Sequence, residues 1–136
     1  MGYANEKGAV GEREAAEYYN SIFNSTEYSF QRIGGVEKNK KVFVGDVIIL
    51  GEREKCVLND YFLEVKKRGV INIFDVLKEA EDNAQMYGKK SSIVYADKQT
   101  KGKHDSRKAI VMSLKTFKSL MRELQGFRDE FEESRK

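Results

Sequence analysis

Gly45-Asp46-Val47-Ile48-Ile49-Leu50 and Tyr61-Phe62-Leu63-Glu64-Val65-Lys66 are the two stretches on which the reading of this chain turns. Both are dominated by β-branched, aliphatic and aromatic residues and read as strands. Both also carry a carboxylate where a buried strand should carry none. Burying an unpaired carboxylate costs several kcal/mol, so the pattern requires a compensating charge. Side chains alternate faces along a strand, which puts Glu64 and Lys66 on one face and Leu63 and Val65 on the other. Asp46 lies in the preceding strand, and a hairpin pairing would bring it beside Glu64.

Outward from these strands, the chain alternates helical and extended patterns. Ala15, Ala16, Tyr19, Ile22 and Phe23 recur at three- and four-residue steps and predict an amphipathic helix over roughly 5–24. Glu12 falls on the same stripe, whereas Glu14 and Glu17 fall toward solvent. Asn24-Ser25 ends the helix and Tyr28 to Ile33 reads as a first strand. Gly34-Gly35 breaks it, and Glu37 to Lys41 is a charged loop. Strands are expected at about 42–50 and 57–67, joined by a polar hairpin from Gly51 to Lys55.

A second helix is predicted over 73–88, with Ile73, Leu77, Ala80, Ala84 and Tyr87 on one face and Gly88 as its stop. Ser92 to Ala96 reads as a short buried strand, and Lys98 to Lys108, with His104 inside it, as an exposed basic loop. Ala109 to Met112 is a last strand. Ser113 then caps a C-terminal helix striped by Leu114, Phe117, Leu120, Met121, Leu124 and Phe127, with a charged tail from Asp129 expected to fray. The stripe reads as core or as a dimer contact. This order gives one domain over residues 1–136, an α/β fold with a central mixed β-sheet flanked by helices.

Composition narrows the chemistry by exclusion. A chain of 136 residues suits a single core, and its net charge of +3 is spread over many charges of both signs. That balance permits a nucleic-acid partner without demanding one. Cys56 is the only cysteine, which excludes an intramolecular disulfide and a cysteine-clustered zinc site. No run of about 18 apolar residues and no N-terminal apolar leader is present, so the expectation is a cytoplasmic protein without a membrane partner.

Asp46 and Glu64, with a backbone carbonyl such as that of Val65, form a donor set suited to Mg²⁺ with several waters retained. Lys66 beside them is placed to orient water or to stabilise negative charge in a transition state. Glu12, reaching in from the first helix, completes or tunes the acidic cluster. Each piece has a plainer reading: a solvated edge pair for Glu64-x-Lys66, a turn residue for Asp46, and a helix-dipole partner for Glu12. Taken together and in this order, the pieces predict a metal-dependent nuclease.

The run Lys7-Gly8-Ala9-Val10-Gly11-Glu12-Arg13-Glu14, then Gly45-Asp46 and Glu64-Val65-Lys66, resembles the archaeal-type Holliday junction resolvases of the PD-(D/E)XK nuclease superfamily. The resemblance covers residues 7 to about 96, and short phage and viral members are also similar. It implies a restriction-endonuclease-like fold, with Glu12, Asp46 and Glu64 as metal-site acids for Mg²⁺ or Mn²⁺ and Lys66 as the catalytic lysine. It further implies DNA-binding roles for Arg13, Arg32 and the Gly34-Gly35 loop. A homodimer making paired cuts on a four-way junction follows from the resemblance alone, as does a place in DNA recombination and repair in a prokaryotic or virus-infected cell. The chain departs from the family in its lysine-rich segment from Gly34 to Lys41. It also has Asn83 a turn before Tyr87, and a C-terminal helix more like that of phage-encoded relatives.

Basic clusters supply further phosphate contacts by the same reasoning: Lys38, Lys40 and Lys41 before the first acidic strand, and Lys67 and Arg68 directly after Lys66. Two other functions fit the same residues. One is a nuclease of this superfamily acting on flaps, nicked or duplex DNA. The other is a non-catalytic DNA-binding protein that kept the fold.

Overall fold

The structure, a computed structural model, describes residues 3–33, 45–99 and 106–136. It opens with helix α1 (Tyr3–Phe23), which buries Ala15, Ala16 and Tyr19 as the periodicity predicts and packs the half-buried Phe23 on the same core, whereas Ile22 of the predicted stripe is exposed. Gly11 lies where α1 crosses the sheet. A Cβ there would meet Lys67 Cβ at 3.1 Å and Val65 Cγ1 at 3.5 Å, so a larger residue would push the helix outward. The helix ends at Asn24, whose φ of 44° lies in the left-handed region.

Strands β1 (Tyr28–Arg32) and β2 (Val47–Gly51) form an antiparallel ribbon in which Phe30 opposes Ile49 and Arg32 opposes Val47. Asn20 ties this ribbon to α1 at two points, donating from Nδ2 to Phe30 O at 2.9 Å and accepting from Phe30 N at 2.8 Å. Strands β3 (Tyr61–Arg68), β4 (Ser91–Gln99) and β5 (Ser106–Val111) form a separate mixed sheet in the order β3-β4-β5. β3 runs parallel to β4 through a crossover helix, α2 (Ile73–Met86), and β5 returns antiparallel. Helix α3 (Leu114–Ser134) closes the chain, with Ser113 Oγ accepting from Thr116 N as the predicted cap.

Two apolar layers lie on the two faces of the mixed sheet. Leu63, Ile93 and Tyr95 pack with Ala15, Tyr19, Phe30, Val47 and Ile49 beneath α1. Val94 and Ala96 meet Val76 and Ala80 beneath α2. The expected α/β class and element order hold, with the β content divided into a three-stranded mixed sheet and a two-stranded ribbon.

Five local expectations are corrected. β2 is not joined to β3 by a hairpin: Arg53–Lys55 and Val57–Asp60 form 3₁₀ turns, and β2 takes β1 as its ladder partner. α2 is rotated from the predicted face, burying Val76, Ala80 and Ala84 and leaving Ile73 and Tyr87 exposed. Small residues face the sheet because they allow the helix to approach it closely. β4 runs on to Gln99 and β5 begins at Ser106, so strand replaces much of the predicted loop. α3 continues to Ser134 rather than fraying from Asp129. The α3 stripe is not core, for Leu114, Phe117, Leu124 and Phe127 are all exposed. His104, Gly34-Gly35 and Lys38, Lys40 and Lys41 lie outside the described residues.

Candidate active site

β3 is the edge strand of the mixed sheet, and Asp46 is where the β1–β2 ribbon docks onto that edge. Asp46 N donates to Leu63 O at 2.9 Å, and Asp46 Oδ2 accepts from Val65 N at 2.9 Å. One residue thus continues the ladder with its own backbone and side chain. This close approach depends on Gly45, which has φ +107°; a Cβ there would lie 3.0 Å from Leu63 O and 3.2 Å from Leu63 N.

On the α2 face of β3, Glu64 is 6 % exposed and stands opposite Val94 in the β4 register. Lys66 Nζ lies 3.7 Å from Glu64 Oε1 and 3.5 Å from Glu79 Oε1. Asn83 Nδ2 approaches Glu64 Oε2 at 3.5 Å from α2. Burial pushes the Glu64 carboxyl up to about 8, reinforced by a hydrogen bond with Asp46 and by the Asp46 charge. Lys66 and Asn83 oppose the shift without cancelling it. Glu64 is therefore a buried acid that takes a full negative charge only at a cost, with the half-buried Asp46 beside it.

Glu12 and Arg32 form an ion pair, with Arg32 Nε 3.4 Å from Glu12 Oε1. Arg32 opposes Val47, and Ile33 N donates to Asp46 O at 3.1 Å, so this pair lies at the Asp46 end of the ribbon. Arg13 and Arg68 are exposed. Among the described residues, no three acidic, histidine or cysteine side chains converge closely enough to hold one ion between them. The residues brought together are Asp46, Glu64 and Lys66, with the Val65 backbone held between the first two.

Lys67 points away from this group, as strand alternation requires. Its ammonium lies 3.1 Å from Glu14 Oε1 and 3.5 Å from Asp97 Oδ2, and its side chain is 9 % exposed. Lys108 Nζ adds a second cation 3.5 Å from Glu14 Oε2. Burial works to raise the Glu14 carboxyl, but Lys67 and Lys108 more than reverse this and leave it below its usual value. Lys67 is thus taken up by an internal ion network, and Arg68 is the member of that basic pair exposed to solvent.

Three residues of this region are not site candidates in the sequence, where Asn83 stands out only as a departure from the resembled family. Asn83 and Glu79 were missed because the predicted α2 face was rotated; once Val76, Ala80 and Ala84 face the sheet, both fall on its flank toward Glu64 and Lys66. Asp97, fully buried at the end of the apolar run from Ser91, has the same signature that marked Asp46 and Glu64. No protein-family model matches the chain, and no significant match appears among curated proteins or solved structures.

Proposed function

We propose that this protein is a metal-dependent endodeoxyribonuclease of the PD-(D/E)XK type, acting on branched DNA with the four-way junction as its preferred substrate. The observation that carries the reading is the buried Glu64 carboxylate with Lys66 3.7 Å from it on the same strand, and Asp46 held to the intervening Val65 N–H at 2.9 Å. A donor set of two carboxylates fits Mg²⁺, which is commonly held by one or two carboxylates and keeps several waters. Asp46, Glu64 and the Val65 carbonyl would hold the ion, with Mn²⁺ as a substitute. When bound, the ion neutralises charge on the phosphodiester and makes water more acidic.

The chain's own groups do the rest. Asp46 is locked by its two bonds to β3, so its carboxylate needs no reordering when charge arrives. Asn83 and Lys66 hold Glu64 in place from α2 and from its own strand. Lys66, tethered between Glu64 and Glu79, presents an ammonium to the negative charge that develops during phosphodiester cleavage. Arg13 and Arg68 are exposed cations available to phosphates, and Glu12 orients Arg32 beside the site. The restriction-endonuclease-like fold, the junction and a homodimer with two active sites belong to this reading through the resemblance of the Glu12, Asp46 and Glu64-x-Lys66 motifs.

A substrate panel tests it. Four-way junction, flap, nicked duplex and single-stranded DNA are incubated with the protein, with Mg²⁺ and with EDTA. Mg²⁺-dependent cutting of the junction ahead of the others is expected. Equal cutting of all four sinks junction selectivity, and no cutting of any sinks the nuclease reading.

A further inference from the structure

Helix α3 is fastened to the body only near its start. Ser91 and Thr116 share a hydroxyl hydrogen bond, Tyr61 Oη donates to Ser119 Oγ at 3.0 Å, and Leu120 packs on the α1-side core. Beyond Leu120, nothing among the described residues covers its apolar stripe. Phe117, Leu124, Phe127 and Phe131 are between 53 and 61 % exposed, and Met121 is 41 % exposed. An isolated Phe on a surface is ordinary, but a contiguous stripe of this size marks an interface.

The spacing of the stripe says what kind. Phe117, Leu120, Leu124, Phe127 and Phe131 follow one another at steps of three, four, three and four residues, the a/d pattern of a two-helix seam; Leu120 is half-buried against the chain's own core, so the free positions are Phe117, Leu124, Phe127 and Phe131. In that register Glu123 and Glu130 occupy g positions, and Arg128 and Arg135 occupy the e positions five residues further on. Two copies aligned in parallel set Glu123 against Arg128 and Glu130 against Arg135 of the other copy, on both sides of the seam. An antiparallel pair instead sets glutamates near glutamates and arginines near arginines. In the single chain, Arg135 is engaged only by the exposed Glu132 at 3.8 Å and by stacking over Phe131.

We infer that α3 is a self-association surface: two copies of this chain join through a parallel α3–α3 seam over Phe117–Phe131, with the Glu123–Arg128 and Glu130–Arg135 pairs fixing its direction. The exposed area of Phe117, Met121, Leu124, Phe127 and Phe131 is roughly 500 Å² per copy, or roughly 1,000 Å² for the pair, at the lower end for a specific interface. A lipid surface fits worse. Between residues 128 and 135, Asp129, Glu130, Glu132 and Glu133 outnumber Arg128 and Arg135, whereas membrane-surface helices carry basic polar faces. The inference rests on the homodimer of the proposed function and names its surface; its readout is mass rather than cleavage, so the nuclease reading and the α3 seam fail separately.

Sedimentation equilibrium of the full chain at micromolar concentration, with circular dichroism to verify folding, decides it. The parent is expected as a dimer. Leu124→Glu with Phe127→Glu changes two exposed residues, so helix content is retained, while dimer dissociation is expected to rise at least about a hundredfold. Glu123→Arg alone should weaken the dimer, and Glu123→Arg with Arg128→Glu should restore it. A monomeric parent overturns the inference, as does a dimer indifferent to the Leu124 and Phe127 changes. Tightening by Glu123→Arg alone overturns the parallel arrangement. A monomer that co-sediments with phosphatidylcholine–phosphatidylserine vesicles assigns the stripe to a lipid surface instead.

Discussion

Replacing Glu64 by Gln should make the metal-free protein more stable, and only at neutral to alkaline pH. The Glu64 carboxyl is raised from 4.5 to about 8 by burial, by its hydrogen bond with Asp46 and by the Asp46 charge. Between those values the folded chain holds a proton that the unfolded chain has released. This group's contribution to stability is therefore fully present below about pH 4.5, declines as pH rises, and is lost above about 8. A rise of this size corresponds to at most about 5 kcal/mol, and relaxation of Lys66 and Asn83 around the charge brings the expected loss to about 2–3 kcal/mol.

Gln has the shape of Glu and keeps a carbonyl for Asn83 and Lys66, but it never takes the charge. Urea denaturation in EDTA is expected to give matching midpoints for parent and Glu64→Gln at pH 5. At pH 8.5 the variant should lead by about 2–3 kcal/mol. Adding Mg²⁺ at pH 8.5 should stabilise the parent by about 1.4 kcal/mol per tenfold excess over its dissociation constant, and leave the variant unmoved. A variant that is less stable than the parent at pH 8.5 would show that the fold itself satisfies the Glu64 charge. The argument that the pair is held in readiness for a cation would then fail.

Other consequences are open to equally direct measurement. Lys66→Met and Asp46→Asn should each lower junction cleavage by at least about a hundredfold in a single-turnover assay while a mobility shift shows DNA binding retained, since neither removes an exposed phosphate contact. Gly45→Ala should cost about 2–3 kcal/mol by urea denaturation, because its backbone has φ +107° and its Cβ would press on Leu63 O. Lys67→Met should cost about 3 kcal/mol by stranding the fully buried Asp97, whose oxygens have no hydrogen-bond partner among the described residues, with DNA affinity unchanged. Arg68→Ala should do the reverse, lowering DNA affinity and flattening its salt dependence with little effect on stability.

Much of the fold was legible in local signals. The α1 stripe of Ala15, Ala16 and Tyr19, the Ser113 cap and the stop at Gly88 each rest on neighbours within one or two helical turns, and each holds in three dimensions. The partner of β2 was not legible, because two strand-like runs separated by a polar stretch look the same whether they pair or merely abut. The choice of β1 is made at long range, by the ribbon register and by Asn20 clamping Phe30 to α1. The rotation of α2 was hidden for a different reason. Bulk predicts burial for Ile73 and Tyr87, yet the crossover selects small Ala80 and Ala84 for the sheet side, so Asn83 and Glu79 were not placed beside Glu64 and Lys66. Lys67 was misread because its basic character was visible in sequence and its partners Glu14 and Asp97 were not.

Asp46 has two roles that bear on each other. As a structural residue it joins the ribbon to the edge of the mixed sheet through Leu63 O and Val65 N. As an acid it raises the cost of charge on Glu64. A carboxylate serving only to join strands would be better placed away from a second buried acid, since Asn accepts the Val65 N–H bond equally well without charge. The fold instead puts the negative charge at the joint itself, beside Glu64, and brings Lys66 to within 3.7 Å, which offsets only part of the shift in Glu64. Below about pH 8 a proton meets the cost of the Glu64 charge; above it, a bound cation would do so. On the proposed reading, the stability that Glu64→Gln gains in the metal-free chain is the cost that a bound cation would relieve.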